Sequence, residues 1–120
     1  PIVHVTRTED RLGGAGNVVR NLTNLHAKVS FCGLVGSDAE GRVVESLLQA
    51  SGVETDCLVH ENDWPTTVKT RVIARAQQVV RIDREKKGER PKEDREKIAS
   101  VMKRHIDSSR CVIISDYGKG

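Results

Sequence analysis

A glycine-rich stretch at the start of the first predicted helix carries the most informative chemistry in this sequence. Gly13, Gly14 and Gly16 leave that helix start bare of side chains, and Asn17 follows directly. The first N–H groups of a helix lack partners within the helix and favour oxygen-rich ligands. An asparagine amide both donates and accepts, which suits recognition of a hydroxyl. The stretch predicts a site for a polyhydroxylated ligand, although the same glycines would equally serve tight packing on a sheet.

A dinucleotide-binding turn is the alternative interpretation of the same residues. Gly14 and Gly16 supply two of its three glycines, and Asp38 lies roughly where a ribose-binding acid would fall. The third glycine position is occupied by Val19, however, and residues 6–12 are polar where the fingerprint requires a strand. A nicotinamide-binding domain therefore stays open as a second hypothesis.

Two further groups of polar residues could hold a ligand. Lys69 and Arg71 alternate with apolar residues, so both fall on one face of a predicted strand. A pair of cations there could hold a phosphate, and an ordinary solvated strand face would look the same. Asp116 follows the apolar run 111–115 at the carboxyl end of a predicted strand, where parallel sheets place their ligands. Its carboxylate could accept hydrogen bonds from hydroxyls, or cap a following helix.

The elements that must position these residues alternate between strand and helix. Apolar runs predict strands at 2–5, 29–35, 53–59 and 111–115, and helical periodicity covers 16–27, 39–50 and 91–106. Asp38 is the expected N-cap of the second helix. This order predicts an α/β fold with a parallel sheet and flanking helices.

An insert of different character interrupts this alternation. Residues 67–74 alternate between apolar and polar positions, and 78–83 follow after a short turn, which predicts an antiparallel β-flap at about 66–84. The mixed charges of residues 81–97 indicate a solvated turn and helix start.

Composition excludes several classes of function. The 120 residues are 37% apolar and 31% charged with a net charge of +3, and aromatic residues make up only 2%, too few for a base-stacking surface. We expect no nucleic-acid partner. No run approaches the about 20 apolar residues of a membrane span, so we expect no membrane partner. Cys32 and Cys111 stand in apolar runs and are expected to be buried free thiols in a reducing, cytoplasmic compartment. The scattered histidines and cysteines predict no metal site.

Two motifs in order give the sequence a family resemblance. Gly13-Gly14-Ala15-Gly16-Asn17 is similar to the sugar-binding turn of the ribokinase-like carbohydrate kinases, and residues 35–41, VGSDAEG, resemble the strand-to-helix turn that follows it in them. The resemblance implies a ribokinase-like (Rossmann-like) α/β fold and transfer of a phosphoryl group from ATP, with Mg²⁺, to a sugar hydroxyl.

Within that superfamily the chain most resembles the kinases that act on heptose 7-phosphate in the synthesis of ADP-heptose for lipopolysaccharide. The blocks that carry this resemblance are residues 11–15, 69–72, 77–83 and 114–120. Gly16, where that family commonly has alanine, and the bulky Val19 depart from the pattern. The implied substrate-binding residues are Gly13, Gly14, Asn17, Lys69, Arg71, Gln78, Asp116 and Lys119, with Asp83 beside Gln78 on the flap and Tyr117 in a packing role.

The resemblance also implies that residues 1–120 are the N-terminal portion of an incomplete domain. The catalytic aspartate of these kinases belongs to a G-x-G-D motif, and no Gly-Asp pair occurs in this sequence. We therefore expect that this chain contains no catalytic residue and lacks the half of the domain that forms the ATP site. We also expect no tight binding of ATP and Mg²⁺ by this chain alone. Flaps of this family often pair between subunits, which implies a homodimer through the β-flap. A non-catalytic interaction module that uses the flap edge is a further alternative.

Overall fold

Within the part of the chain that the structure describes, the fold consists of two short sheets and three helices. The computed structural model describes residues 2–118. In chain order, the elements are α1 (Gly14–Asn24), β1 (Gly33–Gly36), α2 (Ala39–Ala50), β2 (Leu58–Glu61), β3 (Val68–Ala74), β4 (Gln77–Arg84) and α3 (Lys92–Ile106). The strands β1 and β2 pair in parallel, and β3 and β4 pair antiparallel. The α/β fold with a separate β-flap is therefore confirmed.

The parallel pair separates two apolar clusters because successive residues of a strand face opposite sides. Val35 of β1 and Leu58 of β2 join Val19 of α1 and Leu48 of α2 on one side. Leu34 and Val59, one position away along each strand, join a second cluster with Val101 of α3. Helices therefore cover both faces of this sheet, which explains why its strands appear in the sequence as continuous apolar runs.

The turn between β1 and α2 explains the glycines of residues 35–41. The Asp38 carboxylate accepts hydrogen bonds from the Gly41 N–H at 2.8 Å and from the Thr66 N–H at 2.8 Å and hydroxyl at 2.6 Å. A Cβ at Gly36 would lie 2.7 Å from the Thr66 nitrogen, and one at Gly41 would lie 2.0 Å from the Gly36 carbonyl oxygen. The N-cap prediction for Asp38 is confirmed, and the cap also fixes the base of the flap.

Hydrogen bonding governs the pKa of Asp38. Burial alone would raise the pKa of this carboxyl, but the bonds from Thr66 and Gly41 stabilise its ionised form and leave the pKa below its ordinary value. At neutral pH the Asp38 carboxylate is therefore ionised, and its two oxygens hold the turn.

Two predicted strands are absent from the part of the chain that the structure describes. Residues 2–5 and 111–115 have no regular secondary structure and pair with no strand, and Ile2 and Ile114 are exposed. A strand exists only through hydrogen bonds to a neighbour, and within residues 2–118 neither segment has one. The prediction that Cys111 is buried is wrong for the same reason, whereas Cys32 is half-buried.

Candidate functional site

The sequence predicts an open helix start at α1, and the structure shows it to be open at Gly13 but covered at Gly14 and Gly16. Gly13 is the N-cap, and a Cβ added there would meet no atom within 4 Å. A Cβ at Gly14 would lie 2.5 Å from the ring of Tyr117, and one at Gly16 would lie 2.2 Å from the Leu12 Cβ. Gly16 therefore serves packing, while Gly13 leaves the helix start accessible to a ligand.

Asn17 and Tyr117 complete the surroundings of this helix start. Asn17 is exposed, and its side-chain amide makes no hydrogen bond to any residue between 2 and 118. The Tyr117 ring packs over Gly14 although 67% of the residue remains exposed. The predicted packing role of Tyr117 is thus present, and it brings the end of the 111–117 segment to α1.

Asp116 lies beside a charged cavity and also makes a local turn. Its carboxylate accepts a hydrogen bond of 2.7 Å from the Gly118 N–H. The same residue lines a cavity of about 540 Å³, a size typical of small-molecule sites. Four cations and two further carboxylates share its wall: Lys86, Lys87, Arg90 and Arg95 with Glu85 and Glu89. The cavity therefore offers both hydroxyl acceptors and partners for an anion.

Arg90 fixes one wall of this cavity, although the sequence predicts a solvated position for it. Its side chain is only 8% exposed, and its guanidinium pairs with the Glu61 carboxylate at the end of β2. The guanidinium carbon lies 4.9 Å from the centroid of the Trp64 ring, and the Lys86 ammonium lies 4.8 Å from the same centroid. Burial lowers the pKa of Arg90. The interpretation of residues 81–97 as uniformly solvated is wrong at this position.

The flap presents a cationic face. Lys69 stands opposite Asp83, and Arg71 stands opposite Arg81. The Asp83 carboxylate accepts a hydrogen bond from Arg81 at 2.8 Å and a weaker one from Lys69 at 3.5 Å. These contacts lower the pKa of Asp83, and the hydrogen bond from Arg81 has the largest effect. Two guanidinium groups directly across a strand pair repel unless an anion lies near them.

The predicted site residues fall into separate groups. Gln78 stands opposite Ile73 beyond a register shift in the flap. No hydrogen bond or ion pair between residues 2 and 118 joins Lys69, Arg71 or Gln78 to the start of α1 or to Asp116. The flap is fastened instead at its base, where Arg84 pairs with Glu40 in the first turn of α2. Lys119 lies outside the described residues.

Three metal-ligating side chains converge in one place among residues 2–118, at Asp56, Cys57 and His105, and this group contains a single carboxylate. Magnesium prefers oxygen ligands, so this cluster does not suit it. No step of the chemistry is assigned to ATP or Mg²⁺ in this chain.

The family model of the pfkB family carbohydrate kinases matches residues 1–117. The chain belongs to the pfkB carbohydrate kinase family. Among similar proteins, the D-beta-D-heptose 7-phosphate kinase of Bordetella bronchiseptica is 43% identical over 120 residues, which are 100% of this chain and 37% of that protein. The bifunctional protein HldE of Helicobacter pylori Shi470 is 42% identical over 120 residues and is covered to 26%.

A third similar protein also matches almost the whole chain. The bifunctional protein HldE of Desulfatibacillum aliphaticivorans is 46% identical over 119 residues, which cover 99% of this chain and 24% of that protein. This pfkB-family chain thus spans between about a quarter and somewhat over a third of these relatives. Family membership favours the sugar kinase interpretation over the dinucleotide-binding domain. The residues described also include no helix with the length and apolarity needed to cross a bilayer.

Proposed function

We propose that this chain is the substrate-binding portion of an ATP-dependent kinase that phosphorylates heptose 7-phosphate on the route to ADP-heptose and lipopolysaccharide. The observation that carries the proposal is the 43% identity over all 120 residues to a protein named for that activity. The pattern of glycines and cations is the second support, because a phosphorylated sugar needs both hydroxyl and anion recognition.

Residues at the start of α1 hold the sugar in this proposal. The open Gly13 allows close backbone approach, Gly14 carries the Tyr117 ring that bounds this side of the site, and the side-chain amide of Asn17 hydrogen-bonds a hydroxyl. Asp116 accepts from further hydroxyls at the cavity wall. Lys119 follows Asp116 closely in sequence and adds a cation for the phosphate.

The flap holds the 7-phosphate in this proposal. Lys69, Arg71 and Arg81 face one side together with Asp83, whose carboxylate already contacts Arg81 and Lys69. The phosphate would therefore bind chiefly beside Arg71, where it would further reduce the repulsion from Arg81. Gln78 lines the same side further along the strand pair. For the flap to reach the sugar, it has to move relative to α1, as kinase lids do when they exclude water.

The remaining catalytic parts belong elsewhere in the proposed enzyme. The G-x-G-D motif that would supply the catalytic base is missing from this sequence, so residues 1–120 are proposed as the N-terminal portion of the kinase domain. ATP and Mg²⁺ would bind mainly to the other portion. The three free cysteines suit a cytoplasmic enzyme.

A homodimer through the flap is part of the proposal. Val80 and Ile82 are 45% and 56% exposed and occupy the flap face opposite Lys69 and Arg71. Apolar residues on an exposed two-stranded sheet are a favourable surface for a second copy. Sedimentation velocity tests this, with Ile82→Asp expected to give monomers and Arg75→Asp, at the flap tip, expected to keep the dimer.

The decisive experiment measures binding and turnover with the complete native protein. We expect saturable binding of heptose 7-phosphate by calorimetry, ADP formation when ATP is added, and no binding of NAD. Binding of NAD without binding of the sugar phosphate would replace the kinase by the dinucleotide hypothesis. Binding of neither, with a protein partner captured at the flap, would favour the interaction module.

A further inference from the structure

Three metal-ligating side chains converge at the end of the parallel sheet where β2 begins. Asp56 and Cys57 directly precede β2, and His105 lies in the last turn of α3. One ligand atom from each of the three lies within 4.8 Å of the other two, and the His105 Nε2 is 3.3 Å from an Asp56 carboxylate oxygen. The sheet carries its candidate sugar site at the opposite, carboxyl ends of its strands, so this cluster is separate from it.

The fold builds the cluster from its second apolar core. Cys57 is 1% exposed and packs in the cluster that also contains Val101 and Ile98 of α3. Helical periodicity carries that face of α3 on to His105, one turn beyond Val101. The imidazole is thereby held next to the thiol, although the two residues are distant in sequence.

Supporting groups surround two of the three ligands. The Ser30 hydroxyl lies 3.9 Å from the Cys57 sulfur, close enough to donate a hydrogen bond to a thiolate. The hydroxyls of Ser108 and Ser109 donate to the His105 carbonyl at 3.0 and 2.7 Å, which holds the helix end that carries the imidazole. The Ser30 contact is therefore of the kind that orients a metal ligand, whereas the contacts of Ser108 and Ser109 fix the backbone at the end of α3.

The donor set selects the class of metal. A thiolate, an imidazole and a carboxylate together suit Zn²⁺, which forms bonds of about 2.0–2.3 Å and so holds tetrahedral ligands about 3.3–3.8 Å apart. The donors need to approach by only about 1 Å from their present separation. Magnesium and calcium, which prefer oxygen ligands alone, are disfavoured by the sulfur.

We propose that Asp56, Cys57 and His105 form a zinc site that joins the start of β2 to the end of α3, with solvent as the fourth ligand. The partial exposure of Asp56 and His105 leaves an entry path for the ion. Binding would release the thiol proton to solvent and stabilise the native chain, since the unfolded chain does not hold the three groups together. The proposal is independent of the kinase activity.

Titration of the complete native protein with Zn²⁺, after chelation and dialysis, tests the site. We expect one ion per chain, a higher melting temperature with Zn²⁺, and a thiolate-to-metal charge-transfer band when Co²⁺ replaces it. The variants Cys57→Ala and His105→Gln should each weaken binding by at least about 100-fold, because loss of outer contacts alone costs about 10–100-fold. The matched controls Cys111→Ser and His26→Gln, which remove an exposed thiol and an exposed imidazole outside the cluster, should bind normally.

The outcomes separate clearly. Absence of stoichiometric binding, absence of the charge-transfer band, or equal loss in the cluster variants and their controls would each overturn the site. Should Cys57→Ala fail to fold by circular dichroism, His105→Gln still decides the question, since the His105 side chain is partly exposed and the substitution disturbs the core less.

Discussion

The central carbon of the Arg90 guanidinium lies 4.9 Å from the centroid of the Trp64 ring, and the same guanidinium pairs with Glu61. These contacts join the loop before α3 to the carboxyl end of β2. They also fix one wall of the cavity that Asp116 shares. The wall of the candidate site is therefore built from a buried ion pair and a cation–π contact.

Removal of Arg90 should destabilise the fold strongly. Glu61 is 2% exposed in its side chain, so Arg90→Ala leaves a buried carboxylate without its cation, a change worth about 3–5 kcal/mol. Urea unfolding measures the loss. The control Arg95→Ala removes an exposed arginine from the same cavity wall and should change the free energy of unfolding by less than about 0.5 kcal/mol. Equal effects of the two substitutions would show that burial of the pair is unimportant.

The flap cations should distinguish phosphorylated from unphosphorylated sugars. In the complete kinase, Lys69→Ala or Arg71→Ala should each weaken binding of heptose 7-phosphate by about 1.5–3 kcal/mol, the usual loss of a charged hydrogen bond. Binding of the unphosphorylated heptose should change much less. Calorimetry with both sugars provides the comparison.

The cavity offers the matched control for that experiment. Lys87→Ala removes a cation from the cavity near Asp116 rather than from the flap. If Lys87→Ala reduces affinity for the phosphorylated sugar selectively and the flap variants do not, the phosphate binds in the cavity and the clamp role of Lys69 and Arg71 is wrong.

Asp38 should make stability depend on acid pH. Because the folded-state pKa lies below the ordinary value of 3.8, the carboxylate stabilises the fold fully above that value. The contribution is lost as pH falls through the lower folded-state pKa. The free energy difference between wild type and Asp38→Asn should therefore be largest near about pH 6 and shrink towards about pH 3. A difference that stays constant over this range would exclude the charge as its source.

Gly41 should tolerate no side chain. A Cβ there would lie 2.0 Å from the Gly36 carbonyl oxygen, so Gly41→Ala has to displace the backbone of the β1–α2 turn. We expect a loss of about 1–3 kcal/mol, the usual cost of overpacking. Arg42→Ala, at the next and exposed position of the same helix, should be nearly neutral in thermal unfolding.

Local signals in the sequence were sufficient for the helices, the flap and the Asp38 cap. Each depends on residues a few positions apart, such as Asp38 and Gly41 or the alternation of residues 67–74. The strands at 2–5 and 111–115 depend on neighbours that periodicity cannot supply, and they are unpaired among the described residues. Apolar alternation predicts what a segment could do, and pairing decides whether it becomes a strand.

The surroundings of Arg90 and of the Cys57–His105 cluster could not be predicted either, because they depend on contacts between residues distant in sequence. The many charges of both signs around Arg90 predict solvent exposure, whereas its burial depends on Trp64 and Glu61, both well upstream in the chain. The histidines and cysteines appeared scattered because Cys57 and His105 meet only when α3 packs on the sheet. The only tryptophan of the chain, beside an acidic strand end, was the available hint of a buried cation.

The two-sided parallel pair has a consequence for mutation. Leu34 and Val35 are adjacent in sequence and yet belong to different clusters, one packed by α3 and the other by α1 and α2. A substitution at Leu34 therefore alters packing under α3, and a substitution at its neighbour Val35 alters packing under the helix that begins at the glycine turn.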